Sequence, residues 1–298
     1  MKEIILEIRN RIGVSQEDLA KMIGTSFATI NRWENGHSYP NKALQLRLYE
    51  VCKEKEVNLE EMILNKINRA AEDIPLHQGK KILYHGSKAG IEGPISPISR
   101  ERCDFGRGFY MGTDPRQPLT MISDFNQSKY YIISLDIRTL NILEISPGLE
   151  WAMLVAFHRG KMEGIKESKL YESYAGKIKG YDVVTGNIAN DRMFYVLDNF
   201  FLGNITDKAL VKSLSALNLG KQYVAVSKKA CKQVKIEKEI ELSYLERICL
   251  RELSEQNRVK GINLANEICR DYRREGLFFD EILKKYAEGG DDLGQYST

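Results

Sequence analysis

The amino-acid sequence predicts a multidomain protein: an all-α bundle of five helices, then an α+β domain, then further helices. Three observations predict this order. From Lys2 to about Asn68, apolar residues recur three and four positions apart, as on one face of a helix. After Lys81, short β-rich runs and helical patterns mix without a regular alternation, which favours an α+β domain over a doubly wound sheet. The helical pattern returns from Glu239 onward.

The boundaries follow from changes in composition. The segment between the bundle and the α+β domain is polar and contains Pro75 and Gly79, so it is expected to be a linker. The 298 residues are enough for two domains that each bury a core. The predicted parts are the bundle, the linker, the α+β domain, and the C-terminal helical segment with its tail, at 1–66, 67–81, 82–238 and 239–298.

Composition and charge exclude several classes of protein. A net charge of +3 is small for this length, so any contact with nucleic acid should be local. Acidic residues break the apolar runs of the N-terminus, unlike a signal peptide, and the apolar stretch Trp151 to Phe157 is too short for a membrane span of about 20 residues. The five cysteines and four histidines are scattered, which argues for reduced thiols in the cytoplasm and against a metal site.

Within the bundle, two short helices joined by a tight turn are predicted between Ser15 and Trp33. Ser15 is a suitable N-cap, and the acidic residues that follow it favour the first turn of a helix. Gly24 suits a left-handed helix end. Ser26 can cap the second helix, which runs to Trp33.

The pattern Gln16-x-x-Leu19-Ala20-x-x-x-Gly24-x-Ser26-x-x-Thr29-Ile30-x-x-Trp33-Glu34-x-Gly36 resembles the Cro/repressor-like, Xre-type helix-turn-helix family. The resemblance implies a DNA partner, with the second helix in the major groove. It implies base contacts by Phe27, Ala28 and Arg32, and phosphate contacts by Gln16, Ser26, Asn35 and Lys42. An arginine can bond a guanine edge twice, which suits Arg32. The alternative is a bundle that serves docking or dimerisation. Residues 1–55 contain nine Lys or Arg against seven Asp or Glu, so their positive electrostatic potential, which would attract DNA, is weak.

Three segments of the α+β domain contain candidate site residues: Leu83 to Ser87, Asp104 to Thr113, and Gly220 to Val226. Each alone has a structural explanation, as a turn, a loop or a half-buried strand. In this order, His-Gly-Ser, Phe-Gly-x-Gly-Phe-Tyr and a late strand with Tyr-Val resemble the ADP-ribosyltransferase fold. The likeness is to its histidine-tyrosine-glutamate branch, which includes the poly-ADP-ribose polymerases, diphtheria toxin and bacterial proteins found near toxin and defence systems.

This resemblance implies that the domain uses NAD as its substrate. Cleavage of the nicotinamide–ribose bond builds positive charge on the ribose, as in glycoside cleavage. By position, His85 would bind the adenine-side ribose, the backbone of Gly86 and the hydroxyl of Ser87 would bind the carboxamide, and Tyr110 would stack on nicotinamide. Gly106 and Gly108 would let the loop approach closely.

The sequence departs from that family at Gln222, which stands where the catalytic glutamate is expected. A glutamine can hold the ribose 2′-hydroxyl but brings no negative charge. Asp191 is the candidate replacement, and its alternatives are a surface ion pair with Arg192 or a helix cap. His158 and Arg159 are interpreted as the dipole-compensating end of an apolar helix.

The leading hypothesis is therefore an ADP-ribosyltransferase joined to a DNA-binding domain, as suits a toxin or phage-defence effector. The alternative is a transcription regulator whose second domain senses NAD or ADP-ribose without catalysis, which Gln222 favours. A third is an interaction protein with neither activity. The acceptor of ADP-ribose stays open between protein, DNA, RNA and water. An antitoxin protein as partner and a homodimer on a palindromic DNA site are also expected under this hypothesis.

Overall fold

The structure is a computed structural model that describes residues 1–188, 191–216 and 220–287, without the side chains of 191–194 and 286–287. Five helices open the chain, as predicted: α1 Lys2–Ile12, α2 Gln16–Ile23, α3 Phe27–Glu34, α4 Lys42–Glu54 and α5 Leu59–Glu72. The hydroxyl of Ser15 accepts from the backbone N–H of Asp18 and caps α2, and Ser26 caps α3 through Thr29. Gly24 ends α2 with φ 74°. The capping residues deduced from the sequence are confirmed.

A seven-stranded mixed sheet forms the centre of the second part, which confirms the α+β class. Its strands are β1 Lys80–Ser87, β2 Phe109–Gly112, β3 Lys129–Asp136, β4 Ile142–Glu144, β5 Val183–Asn187, β6 Lys221–Ala225 and β7 Val234–Glu241. Their order is β4-β5-β6-β2-β1-β3-β7. Only β4 and β5 pair in parallel among these described strands, and the other neighbours are antiparallel.

Helices cover the sheet and close the chain. They are α6 Arg116–Ile122, α7 Leu149–His158, α8 Lys169–Ala175, α9 Asp191–Phe201, α10 Asp207–Ala216, α11 Lys228–Lys232, α12 Tyr244–Asp271 and α13 Phe279–Ala287, with a 3-10 turn at Glu163–Ile165. The prediction of helix from Glu239 onward is wrong by a few residues. Residues up to Glu241 belong to β7, because edge pairing with β3 satisfies their backbone, and helix begins at Tyr244 after the cap Ser243.

The helical bundle packs directly against α12. The segment predicted as a linker, 67–81, contains the end of α5 and the start of β1, with only 73–79 between them. One cluster of buried side chains contains Leu48 and Met62 of the bundle together with Leu245 and Leu250 of α12. The bundle therefore shares its core with the second part, which also buries two clusters of its own.

Polar contacts cross the same interface between α4, α5 and α12. The Tyr49 hydroxyl donates to Glu252 at 2.5 Å, and Lys53 lies 2.7 Å from that carboxylate. Lys66 lies 2.8 Å from Glu246, whose side chain is only 2% exposed. Burial is the largest single influence on the pKa of Glu246 and raises it. The charge and hydrogen bond of Lys66, together with the hydrogen bonds from Ser243, exceed that effect, so the pKa of this carboxyl is lowered. No helix in the described ranges has the length and apolarity that would let it cross a membrane.

Candidate functional site

The outer face of α3 is open in the full chain. Phe27 is 54% exposed, and Ala28 and Arg32 are also exposed. Ile30 and Trp33 on the opposite face are buried and pack the helix on the bundle. The three residues predicted to face bases therefore share one exposed face, which the rest of the chain leaves uncovered.

The residues predicted to touch phosphates differ in their surroundings. Gln16 is half-buried, and its amide donates to Glu34 at 2.6 Å. The amide of Asn35 donates to the carbonyl of Asn31 at 2.8 Å. Ser26 is exposed at the start of α3.

The fourth of these residues, Lys42, stands at the interface with the second part. Its ammonium lies 5.7 Å from the centre of the Tyr244 ring. A cation in that position is attracted by the ring face. Lys42 therefore meets α12 at the first turn of α4, a contact that the sequence did not suggest.

The three segments singled out in the second part lie on neighbouring strands. His85 is on β1, Tyr110 on β2 and Gln222 on β6, and the sheet order there is β6-β2-β1. Gly112 of β2 faces Tyr84 of β1 on one side and Gln222 of β6 on the other. Segments as far apart in the sequence as 85 and 222 thus lie on neighbouring strands, with the side chains of Tyr110 and Gln222 on one face of the sheet and that of His85 on the other.

The imidazole of His85 bridges β1 and β2. Its Nδ1 lies 2.7 Å from the backbone oxygen of Tyr110. A carbonyl only accepts, so Nδ1 carries the hydrogen and Nε2 stays available as an acceptor. The ring stacks on Phe109, with centroids 4.5 Å apart. Burial lowers the pKa of His85, so the ring is neutral near pH 7.

Beside His85, Gly86 and Ser87 are closely surrounded. A Cβ on Gly86 would lie 2.6 Å from a methyl of Ile122 and 2.8 Å from the carbonyl oxygen of Pro118, so only glycine fits against α6. The Ser87 hydroxyl donates to the carbonyl of Gly90 at 2.6 Å. Its hydrogen is used in this turn, which leaves the oxygen lone pairs for a ligand.

The Tyr110 hydroxyl holds the loop that precedes β2. It accepts from the backbone N–H of Phe105 at 3.0 Å and donates to the carbonyl of Gly106 at 2.8 Å. Burial raises the pKa of Tyr110, so the hydroxyl stays protonated. Gly106 has φ 73°, and a Cβ there would lie 2.9 Å from Nδ1 of His158. Glycine is therefore required at position 106 both by the positive φ and by the lack of space for a Cβ.

Gly108 is needed for sheet packing. A Cβ at this position would lie 2.4 Å from a methyl of Val224 and 3.2 Å from the carbonyl oxygen of Ala225, both on β6. Such a contact cannot form without a shift of the strand. This packing is a reason for the glycine that is independent of any cofactor.

Gln222 is buried in a polar network. Its Nε2 donates to Oδ2 of Asp104 at 2.8 Å and to the carbonyl oxygen of Asn187 at 3.0 Å. The other oxygen of Asp104 accepts from Arg159 at 2.5 Å and 3.1 Å. The indole N–H of Trp151 also donates to the Asn187 carbonyl, at 3.1 Å. A carboxylate therefore does lie beside Gln222, and it is Asp104.

Sequence reasoning missed Asp104 and misinterpreted the end of α7. Arg159 does follow α7, but its guanidinium bonds Asp104 across 55 positions of the chain. Burial lowers the pKa of His158 to about 4, so this ring is uncharged near pH 7 and does not compensate the helix dipole. Asp104 opened a segment that was already of interest, but nothing in the sequence indicated a partner as distant as Gln222.

Asp191 is the first residue of α9, four positions after Asn187 at the end of β5. Its side chain lies outside the described part of the chain. Within the residues described, no group of three or more His, Cys, Asp or Glu is arranged to hold a metal ion.

Comparisons with known proteins give two family matches. The model of a family described as a protein of unknown function, DUF3990, matches residues 81–236, and a helix-turn-helix model matches residues 5–44. No curated protein and no solved structure matches the chain. The N-terminal match confirms a helix-turn-helix domain of the DNA-binding type.

Proposed function

Because the chain belongs to the DUF3990 family, whose description assigns no activity, we propose a function from its own residues. The second part binds NAD and transfers ADP-ribose, while the helix-turn-helix domain binds DNA. A helix-turn-helix domain followed in the same chain by a DUF3990 domain is the arrangement of a regulator-like protein. The toxin or phage-defence role belongs to the same proposal and rests on the sequence resemblance alone.

The observation that carries the NAD proposal is the position of His85, Tyr110 and Gln222 on three neighbouring strands. These are the positions that the resemblance to ADP-ribosyltransferases selects, and they come from three separate segments. The register places Tyr110 and Gln222 on one face of the sheet, where their polar groups suit a ligand with ribose hydroxyls and an amide. On that face the ring of Tyr110 and Oε1 of Gln222 would hold nicotinamide and ribose in a fixed geometry, while His85 would position β2 through the backbone oxygen of Tyr110.

A second candidate function is NAD or ADP-ribose sensing without catalysis. The specific observation is the amide at position 222, which supplies no charge to an oxocarbenium-like transition state. In that case ligand binding would alter DNA binding, and the nicotinamide–ribose bond would stay intact.

The two functions are separated by one experiment on the purified full chain. NAD labelled in its nicotinamide ring is added, binding is measured by calorimetry, and free nicotinamide is followed with time. Binding with release supports the transferase, and binding without release supports the sensor. The absence of binding would overturn both.

Variants locate the site in the same experiment. His85→Ala should weaken NAD binding, but it also removes the bond to β2, so its melting temperature without NAD must be measured. Tyr110→Phe loses the two loop bonds and keeps the aromatic ring. Tyr195→Phe is the matched control, since this tyrosine is 44% exposed on α9. Equal stabilisation by NAD in the wild type and His85→Ala would contradict the assignment.

The DNA part is tested by selection from random duplexes. An enriched motif is the expected result, and a palindromic motif would support a dimer. If no motif is enriched, the bundle is a docking module and the DNA proposal fails.

A further inference from the structure

The orientation of the Gln222 amide is fixed by its two partners. A carboxylate oxygen of Asp104 and the carbonyl oxygen of Asn187 can only accept hydrogen bonds, so Nε2 must face both of them. Each hydrogen of the amide nitrogen then has its acceptor. What Gln222 can still offer to a ligand is its carbonyl oxygen, Oε1.

The network is shielded from water. Asp104 is 4% exposed and Gln222 is 5% exposed. Arg159 bonds the carboxylate oxygen that Gln222 does not use, which prevents the carboxylate from rotating. In such surroundings hydrogen bonds are stronger than in water, and linked bonds polarise one another.

We infer that Asp104 is the positioning carboxylate of this site: it carries the negative charge that stands at residue 222 in the proteins the domain resembles. This inference rests on the proposed function. Through the Nε2 bond, the charge of Asp104 increases the electron density on Oε1 and aims it at a ribose hydroxyl. Asp104 acts through Gln222, and Arg159 holds Asp104 in place.

The same geometry explains why residue 222 is an amide. A glutamate there would set its carboxylate against Asp104 and against the Asn187 carbonyl, with no hydrogen to donate to either. Two like charges at this distance repel strongly in a buried site. Gln222→Glu should therefore damage the site, although it restores the family residue.

The test exchanges the two side chains on the full-length protein. When Asp104→Asn is combined with Gln222→Glu, the new amide at position 104 would donate to the new carboxylate at position 222 and still accept from Arg159. The charge and the bond between positions 104 and 222 are then both kept, and the bond to the Asn187 carbonyl is lost. Each single variant should slow nicotinamide release from NAD by about 10- to 100-fold, because the acceptor atom is misplaced. The double variant should recover the part of that loss that comes from the contact between positions 104 and 222. Glu144→Gln is the control, because it removes an exposed carboxylate paired with Lys221, the neighbour of Gln222.

The following results decide the matter. Full activity in Gln222→Glu would overturn the inference. So would a double variant whose rate of nicotinamide release is reduced by the product of the two single-variant reductions. Loss of activity in Asp191→Asn with full activity in Asp104→Asn would overturn it as well. If the wild type releases no nicotinamide, the proposed transferase activity fails, and the melting temperatures of the variants without NAD then test whether Asp104 is the charged partner of Gln222. Recovery of the melting temperature in the double variant supports Asp104 as the charged partner, and additive losses overturn it.

Discussion

Replacing Lys66 by methionine should destabilise the protein through the interface between the bundle and α12. The carboxylate of Glu246 is almost fully buried and lies 2.8 Å from the Lys66 ammonium. Removing one partner of a buried ion pair typically costs about 3–5 kcal/mol, since the other charge remains without a counter-ion. Here the backbone and hydroxyl of Ser243 still donate to Glu246, and Lys66 is about one-third exposed. We therefore expect a loss of about 2–3 kcal/mol.

Thermal unfolding followed by circular dichroism measures this effect, with an expected decrease in melting temperature of about 5 °C. Lys53→Met is the matched control: its partner Glu252 and Lys53 itself are both exposed, so the pair contributes less than about 1 kcal/mol. Adding Glu246→Gln to Lys66→Met removes the unpaired charge and should recover part of the loss. Equal melting temperatures for Lys66→Met and Lys53→Met would refute the buried-charge argument.

Three further predictions concern other parts of the chain. Arg32→Ala should weaken binding to a selected DNA site by about 1–3 kcal/mol and relax one base pair, measured by titration of mismatched duplexes. Asp182 has its pKa lowered from 3.8 to about 2, chiefly by the backbone N–H of Asn141, so its contribution to stability is present above pH 3.8 and lost as the pH falls through about 2. Asp182→Asn should thus destabilise at pH 7 and much less near pH 2, by denaturant titration at both. Gly108→Ala should lower the free energy of unfolding by about 1–3 kcal/mol through overpacking, measured as a lower melting temperature without NAD. Gly164→Ala should change it little, because there is open space around that position.

Local signals in the sequence predicted much of the bundle. Ser15, Gly24 and Ser26 act on backbone groups within a few residues, so their roles can be deduced without tertiary structure. Four strands, β1, β3, β4 and β6, were also found from their β-rich runs, because a half-buried strand has a recognisable composition, whereas β2, β5 and β7 were not.

The contacts between distant segments could not be deduced in the same way. Asp104 and Gln222 are 118 positions apart, and their bond depends on the sheet order that brings β2 and β6 together. The shared core was missed for a related reason. Leu48 and Cys52 look like the core of a self-contained bundle, and only the position of α12 makes them part of a larger one.

The interface along α12 bears on how the two proposed activities combine. Its first turns pack against α4 and α5 of the bundle, and its later turns pack against α9 and α10. α9 begins four residues after Asn187, whose carbonyl holds the Gln222 amide. One continuous helix therefore connects the helix-turn-helix bundle to the surroundings of the proposed NAD site. Because both ends of α12 are packed in cores, the exposed face of α3 and the site around Gln222 keep a fixed relation. In the proposed transfer reaction, the acceptor must then come to the site, since the site cannot move towards DNA on a flexible tether.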